Sequence, residues 1–285
     1  MELLGYLENW GPAIKWWDEN MPGNCLMGCF KNDELLNIMK SYTALNYGFS
    51  FLTTNPDPDQ DGCTGVDGAS TPPAGPCPEW DGQNIYLAKA GKQDAVAVNS
   101  GTTIDKPTSS VIAITEAVRM GRMHPDGPKR VKIVLGGWSD YARLASAEKG
   151  AAAAKLMAKF VAHTLADGVD IDMEHLTPYN EMGNEFEGLI SFIKTLRSEL
   201  DDVAKNWVSN AQAKLAGVQS WYNSMEDWKK KNVEQYYQTT VNYLGEVASN
   251  PVPHLEISWC TRFNAFLPEE NPWNYLYPDS EVPEK

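Results

Sequence analysis

The sequence is poor in two features that define large classes of protein. Among its 285 residues, no stretch approaches the roughly 20 apolar residues that a membrane-spanning helix requires. Basic residues are also scarce, 24 against 38 acidic ones, which gives a net charge of −14. Because such a charge repels phosphate groups, we expect neither nucleic acid nor a membrane surface as a partner.

Histidine and cysteine are few, at four and five residues. The pairs Cys25/Cys29 and Cys63/Cys77 lack the Cys-x-x-Cys spacing of a zinc ribbon, and no histidine stands close enough to complete a site. We therefore predict no metal and no organic cofactor. A Cys63–Cys77 disulfide is favoured, which implies an oxidising compartment, while free thiols remain open for Cys25 and Cys29.

The N-terminus lacks the basic start and apolar run of a secretory signal. Two interpretations are therefore open: an intracellular protein, or a chain from which a leader has been removed and to which a start Met has been supplied. The rest of the sequence favours the second, so we expect an extracellular or secretory-pathway location.

Predicted strands and helices alternate along the chain. Apolar runs predict strands, and apolar residues at helical spacing predict helices, whereas the Pro- and Gly-rich segment 53–82 is predicted to be a long loop. The alternation indicates one α/β domain, 1–285, with a parallel sheet. The predicted strands are 3–7, 42–52, 131–135, 168–174 and 255–259, with a small hairpin in 84–99; the predicted helices are 108–121, 151–166, 184–200 and two more between 201 and 253.

The strand 168–174 carries three acids at alternating positions. Its period of two puts Asp170, Asp172 and Glu174 on one face and Val169, Ile171 and Met173 on the other. Neighbouring acids are then about 6.6 Å apart, and an ionised Asp172 would raise the pKa of Glu174 and hold it protonated. A protonated Glu can donate to a leaving-group oxygen, whereas the alternatives are a solvent-facing acidic strand or a metal site.

The segment Asp167-Gly-Val-Asp-Ile-Asp-Met-Glu174 resembles the Asp-Gly-x-Asp-x-Asp-x-Glu motif of glycoside hydrolase 18, the chitinase-like family. Three weaker matches occur in the same order as in that family: 4–10 resembles its first strand, 45–49 its second, and Val134-Leu-Gly-Gly-Trp138 the Ser-x-Gly-Gly motif of its third. The resemblance covers residues 1 to about 180 and implies a TIM-type (β/α)8 barrel.

The resemblance also implies a function, the substrate-assisted hydrolysis of β-1,4-linked N-acetylglucosamine in chitin or related oligosaccharides. Glu174 would be the general acid and later the base, Asp172 would orient the substrate acetamide, and Asp170 would share a proton with Asp172. Tyr6 would brace these acids. The substrate-binding residues would be Tyr6, Phe49, Gly136, Gly137 and Trp138.

Several positions depart from the family pattern. Val134 replaces the motif's Ser and so removes a hydroxyl that would help to satisfy Asp170. Met173 and His175 replace a Trp and a Tyr that often flank the catalytic Glu. The sixth-strand Met-x-Tyr-Asp motif has no convincing copy, and the final-strand Trp is unassigned. Val134 and the missing sixth-strand motif favour an alternative function, a chitinase-like lectin without efficient turnover, whereas the intact Glu174 favours the enzyme. An endoglycosidase that trims N-linked glycans is a further alternative.

Five barrel strands are visible, whereas the family has eight. The roughly 25 residues after Trp259 contain four prolines and are too few for three strand-helix units. We therefore expect an incomplete barrel: the chain is an N-terminal portion of a longer protein, or another polypeptide completes the barrel.

Overall fold

The computed structural model describes residues 4–8, 42–52, 79–87, 95–103, 130–137, 140, 142–173, 184–250 and 254–260. Within these residues the chain forms seven strands and four helices. The strands are β1 (Leu4–Glu8), β2 (Ala44–Phe51), β3 (Asn84–Leu87), β4 (Ala95–Asn99), β5 (Arg130–Gly136), β6 (Gly168–Asp172) and β7 (Glu256–Trp259). The helices are α1 (Ala147–Thr164), α2 (Asn184–Lys205), α3 (Trp207–Asn223) and α4 (Asp227–Ser249).

All seven strands belong to one sheet. Strands β1, β2, β5, β6 and β7 lie side by side in chain order, and each neighbouring pair is parallel. The hairpin of β3 and β4 is antiparallel and extends β2 near its C-terminal end, where Ser50 pairs with Leu87. The predicted parallel strands and the predicted hairpin are therefore confirmed.

The sheet is open in the part of the chain that the structure describes. There, β1 pairs only with β2, and β7 pairs only with β6. The five parallel strands correspond to the five counted in the sequence, and their neighbour order is that of consecutive strands in a (β/α) barrel. A closed eight-stranded barrel is not formed by the described residues, so the structure establishes a mixed α/β fold with an open sheet.

The helices begin and end close to their predicted positions. Helix α1 is capped by Ser146, whose side chain accepts a hydrogen bond from the Lys149 amide, and its alanines allow close packing. Helix α2 buries Leu189, Phe192, Leu196 and Leu200, whose spacing forms one face. It runs five residues beyond its predicted end, to Lys205, and the two further helices expected before residue 253 are α3 and α4. No described helix is both long enough and apolar enough to cross a membrane.

The two faces of the parallel strands differ in chemistry. Alternate residues form an apolar face that joins the buried core with α1 and α2, namely Leu45, Tyr47, Ile133, Leu135, Val169 and Ile171. The residues between them form what we call the polar face: Tyr6, Asn46, Lys132, Asp170, Asp172, Glu256 and Ser258. Burial of the apolar face against helices stabilises the fold, whereas polar side chains on the other face must find partners among themselves.

Some predicted features lie outside the described residues. They are the helix 108–121, most of the loop 53–82 and all the cysteines except Cys260. The Cys63–Cys77 disulfide therefore stays a prediction.

Candidate active site

The predicted alternation of strand β6 is confirmed for its described residues. Asp170 and Asp172 lie on the polar face and are only 2% and 7% exposed, whereas Val169 and Ile171 are buried in the core on the opposite side. Met173 packs against that core, as expected. Glu174, the candidate acid, lies outside the described residues, as does Trp138.

The first two residues of the motif have a structural role. The Asp167 carboxylate accepts a 2.7 Å hydrogen bond from the Val131 amide and so joins the start of β6 to β5. Gly168 has a φ of 148°, and a Cβ at this position would lie 1.9 Å from the Glu256 carbonyl oxygen. Only glycine fits this close approach of β6 and β7. Asp167 and Gly168 thus set the register that places Asp170 and Asp172.

Asp170 accepts hydrogen bonds from two hydroxyl groups. Tyr6 on β1 donates to Oδ2 at 2.6 Å, and Ser258 on β7 donates to Oδ1. Partial burial and the hydrogen bond to Asp170 raise the pKa of Tyr6 above its ordinary value, so the phenol stays protonated as a donor. The expectation that Tyr6 contacts the acid cluster agrees with this geometry.

Ser258 supplies the hydroxyl group that Val134 lacks. In the sheet register, Asp170 pairs with Val134 on one side and with Ser258 on the other. Val134 is fully buried, and the nearest atom to a Cβ built on Gly48 is the Val134 Cβ at 3.0 Å, so it fills space between strands. Asp170 therefore has a hydroxyl donor at Oδ1 from β7, although the residue beside it on β5 is a valine.

The double glycine at the end of β5, Gly136 and Gly137, allows the backbone of Asp172 to come close. Gly137 donates its amide to the Asp172 carbonyl at 2.6 Å, and a Cβ on Gly136 would lie 2.2 Å from the same oxygen. A Cβ on Gly137 would lie 2.6 Å from the Phe49 ring. The two glycines therefore allow both a strand contact and an aromatic contact that side chains would block.

Phe49 and Tyr6 form an aromatic pair beside the acids. Their ring centroids are 6.3 Å apart with nearly parallel planes, and Phe49 also stacks on Phe51 at 6.4 Å. Tyr6 is 41% exposed, which leaves part of the ring accessible to a ligand. Such a surface can pack against the apolar face of a sugar ring.

Cys260 follows β7 and lies next to the same groups. Partial burial raises the pKa of its thiol; the Tyr6 hydroxyl opposes this shift, and the Asp172 carboxylate adds to it. Trp259 is 43% exposed and pairs in register with Ile171 of the apolar face.

Two residues of the polar face were missed in the sequence. Ser258 and Lys132 sit in short runs that read as buried apolar strands, Leu255–Trp259 and Val131–Leu135. The signal that was present is the alternation of polar and apolar residues, which puts Glu256 and Ser258 on one side and Ile257 on the other. Across the described ranges, no group of three or more His, Cys, Asp or Glu side chains is arranged to hold a metal ion.

The comparisons with known proteins give little further information. No family model and no curated protein matches the sequence. Among solved structures, a GH18 chitinase from Pseudoalteromonas aurantia is similar at a TM-score of 0.35 and 19% identity, over 69% of this chain and 51% of that one. The chain thus spans about half the length of that chitinase. A likeness of this size establishes neither fold nor activity.

Proposed function

We propose that this protein is a chitinase-like glycoside hydrolase that cleaves β-1,4-linked N-acetylglucosamine glycans with the assistance of the substrate acetamide. The observation that carries the proposal is the pair of buried acids on β6, with Asp170 held between Tyr6 and Ser258. Burying two carboxyl groups on one strand costs stability. Such a cost is expected at an active site more than elsewhere in an α/β sheet.

The reaction would use Glu174 as the proton donor and Asp172 as the residue that holds the acetamide. Glu174 gives its proton to the glycosidic oxygen while the acetamide oxygen bonds to the anomeric carbon and the glycosidic C–O bond breaks. Asp172 orients the acetamide and balances the positive charge that develops on it. Water then attacks the anomeric carbon, the bond from that carbon to the acetamide oxygen breaks, and the water gives a proton back to the Glu174 carboxylate. Tyr6 and Phe49 support binding as an aromatic surface next to Gly136 and Gly137, and Trp138 is proposed to extend it.

The proposal also covers the location of the protein and its partners. We propose a secreted protein whose partner is chitin or an N-acetylglucosamine oligosaccharide. The free edges of β1 and β7 in the described residues support a second proposal, that another polypeptide completes the barrel.

The test is release of fluorophore from fluorogenic chitobiose and chitotriose by the wild-type protein and by Glu174→Gln. The amide keeps the shape of the carboxyl but cannot protonate the leaving oxygen, so hydrolysis should fall by several orders of magnitude while oligosaccharide affinity stays nearly unchanged. Glu246→Gln is the matched control, because this exposed residue of α4 lies on a helix surface.

Three other outcomes separate the alternatives. Oligosaccharide binding without any wild-type turnover would leave the lectin as the function. Trimming of a glycoprotein's N-linked glycans without release from chitobiose or chitotriose would favour an endoglycosidase. Equal hydrolysis by wild type and Glu174→Gln would remove Glu174 as the acid.

A further inference from the structure

Lys132 is a buried cation on the polar face. It lies in the middle of β5 and is only 4% exposed. Its Nζ donates a 2.6 Å hydrogen bond to the Ser258 hydroxyl and lies 3.9 Å from the Glu256 carboxylate. Glu256 is itself paired with Arg130 at 2.5 Å. Burying an ammonium group lowers the free energy of unfolding unless the group is paired. Lys132 is paired with Ser258 and Glu256, which indicates a specific role for its charge.

The ammonium group fixes the direction of the hydrogen bonds that reach Asp170. An ammonium has donors and no acceptor, whereas a hydroxyl has one proton to donate. Ser258 therefore accepts from Lys132 and directs its own proton to Asp170 Oδ1. Because Tyr6 donates to Oδ2, Asp170 accepts at both oxygens.

We call Lys132, Ser258 and Asp170 the relay. The titratable and charged groups around it come from β1, β5, β6 and β7, whereas β2 contributes the uncharged Asn46. Burial lowers the pKa of Lys132, whereas the carboxylates of Asp170 and Glu256 oppose that shift and favour the ammonium form. The Asp167 carboxylate is engaged with the Val131 amide, and Arg130 with Glu256. The titratable and charged groups that face the relay are Tyr6 from β1, Arg130 and Lys132 from β5, Asp167, Asp170 and Asp172 from β6 and the turn before it, and Glu256 and Cys260 from β7 and its end.

We propose that Lys132, acting through Ser258, is a positioning residue that keeps Asp170 an acceptor at both carboxylate oxygens and fixes it on the polar face beside Asp172. In the proposed reaction, Asp172 on the same strand would face the substrate acetamide. The catalytic consequence rests on the proposed hydrolase function, whereas the relay itself does not.

The first measurement follows the relay without any substrate. In protein labelled with ¹³C at aspartate carboxyl carbons, NMR titration follows the Asp170 signal, assigned by its loss in Asp170→Asn. Lys132→Met should make Asp170 take up its proton at a higher pH than in the wild type, because the nearby positive charge is gone. Ser258→Ala should give a smaller change in the same direction. Lys205→Met, which removes an exposed lysine from α2, should give none.

The second measurement follows activity on fluorogenic chitotriose. The acid limb of the pH profile of kcat/KM should move to higher pH in Lys132→Met by the same amount as the NMR titration, and Lys132→Arg should restore the wild-type profile.

An Asp170 titration that is unchanged in a folded Lys132→Met protein overturns the relay, even where the wild type hydrolyses chitotriose. A wild type with no hydrolysis but a shifted Asp170 titration overturns the proposed function and keeps the relay. If Lys132→Met does not fold, Ser258→Ala decides by the same criterion.

Discussion

Tyr6 on β1 donates a 2.6 Å hydrogen bond to Asp170 on β6, although β2 and β5 lie between these strands. In a flat sheet three strand spacings would separate the two backbones by roughly 14 Å, farther than these side chains reach. The sheet therefore curls toward its polar face. The curl brings groups from β1, β6 and β7 together at Asp170, which converts a row of strands into a concave site.

Removal of the Tyr6 hydroxyl tests the importance of this bond. Tyr6→Phe keeps the ring stacked on Phe49 but leaves Asp170 with one donor fewer, so the free energy of unfolding should fall by roughly 1–2 kcal/mol. We expect chitotriose hydrolysis to fall about tenfold or more, since each 1.4 kcal/mol lost from the transition state is a factor of about ten. Urea unfolding and fluorophore release measure the two effects.

The control is Tyr86→Phe. Tyr86 donates to Asp81 at 2.7 Å on the exposed part of the β3 hairpin, so the same chemical change is made away from the acids. It should leave hydrolysis unaltered. Equal losses of activity in both variants would mean that the Tyr6 bond has no special role.

The raised pKa of Tyr6 predicts a specific alkaline behaviour. Above its ordinary pKa of about 10, the unfolded phenol releases its proton while the folded one keeps it. The unfolded state then binds fewer protons, so the free energy of unfolding decreases as pH rises. This decrease should be smaller in Tyr6→Phe, as measured by urea unfolding between about pH 8 and 11.

Lys132 affects the same pH range in the opposite direction. Its lowered pKa means that the unfolded state binds more protons, so its contribution to stability rises with pH up to the ordinary lysine value. Lys132 is present in both wild type and Tyr6→Phe, so its contribution cancels when the pH dependences of their free energies of unfolding are compared. An identical pH dependence in wild type and Tyr6→Phe would show that the Tyr6 phenol is not held protonated by the fold.

The sequence predicts the strand that carries the acids because side-chain alternation is a local property. The period of two in 169–172 needs no knowledge of neighbouring strands, and the helical spacing of Leu189, Phe192 and Leu196 is local in the same way. The partners of Asp170 could not be predicted from such local periodicity. Ser258 and Lys132 lie 88 and 38 residues away along the chain, and their contact depends on the sheet register and curl.

A comparison of two glycines tests the structural role of the motif's second residue. Gly168→Ala should lower the free energy of unfolding by roughly 2–4 kcal/mol, because the backbone has a positive φ and the new Cβ would meet backbone atoms of Glu256. Gly245→Ala on α4 meets no atom within 4 Å and should raise stability by about 0.5–1 kcal/mol. Urea unfolding of both variants checks the prediction, and equal effects would contradict the tight β6–β7 contact.

The last prediction concerns Asp172. Asp172→Asn keeps the size of the side chain, but the uncharged amide cannot balance the positive charge that develops on the acetamide. Chitotriose hydrolysis should fall by about 10²-fold or more. If an ionised Asp172 holds Glu174 protonated, as the sequence predicts, the alkaline limb of the pH profile should also move to lower pH in Asp172→Asn, because the amide carries no charge.

Asp227→Asn is the matched control for this change. Asp227 lies in the first turn of α4 with its side chain 97% exposed, so its substitution should alter neither rate nor pH profile. Both variants should unfold at nearly the wild-type urea concentration, since the Asp172 carbonyl that accepts from Gly137 belongs to the backbone and is kept. A variant Asp172→Asn with wild-type rate and wild-type pH optimum would separate Asp172 from the chemistry. The acid pair on β6 would then be a structural feature of the sheet, and Glu174 would have to act without it.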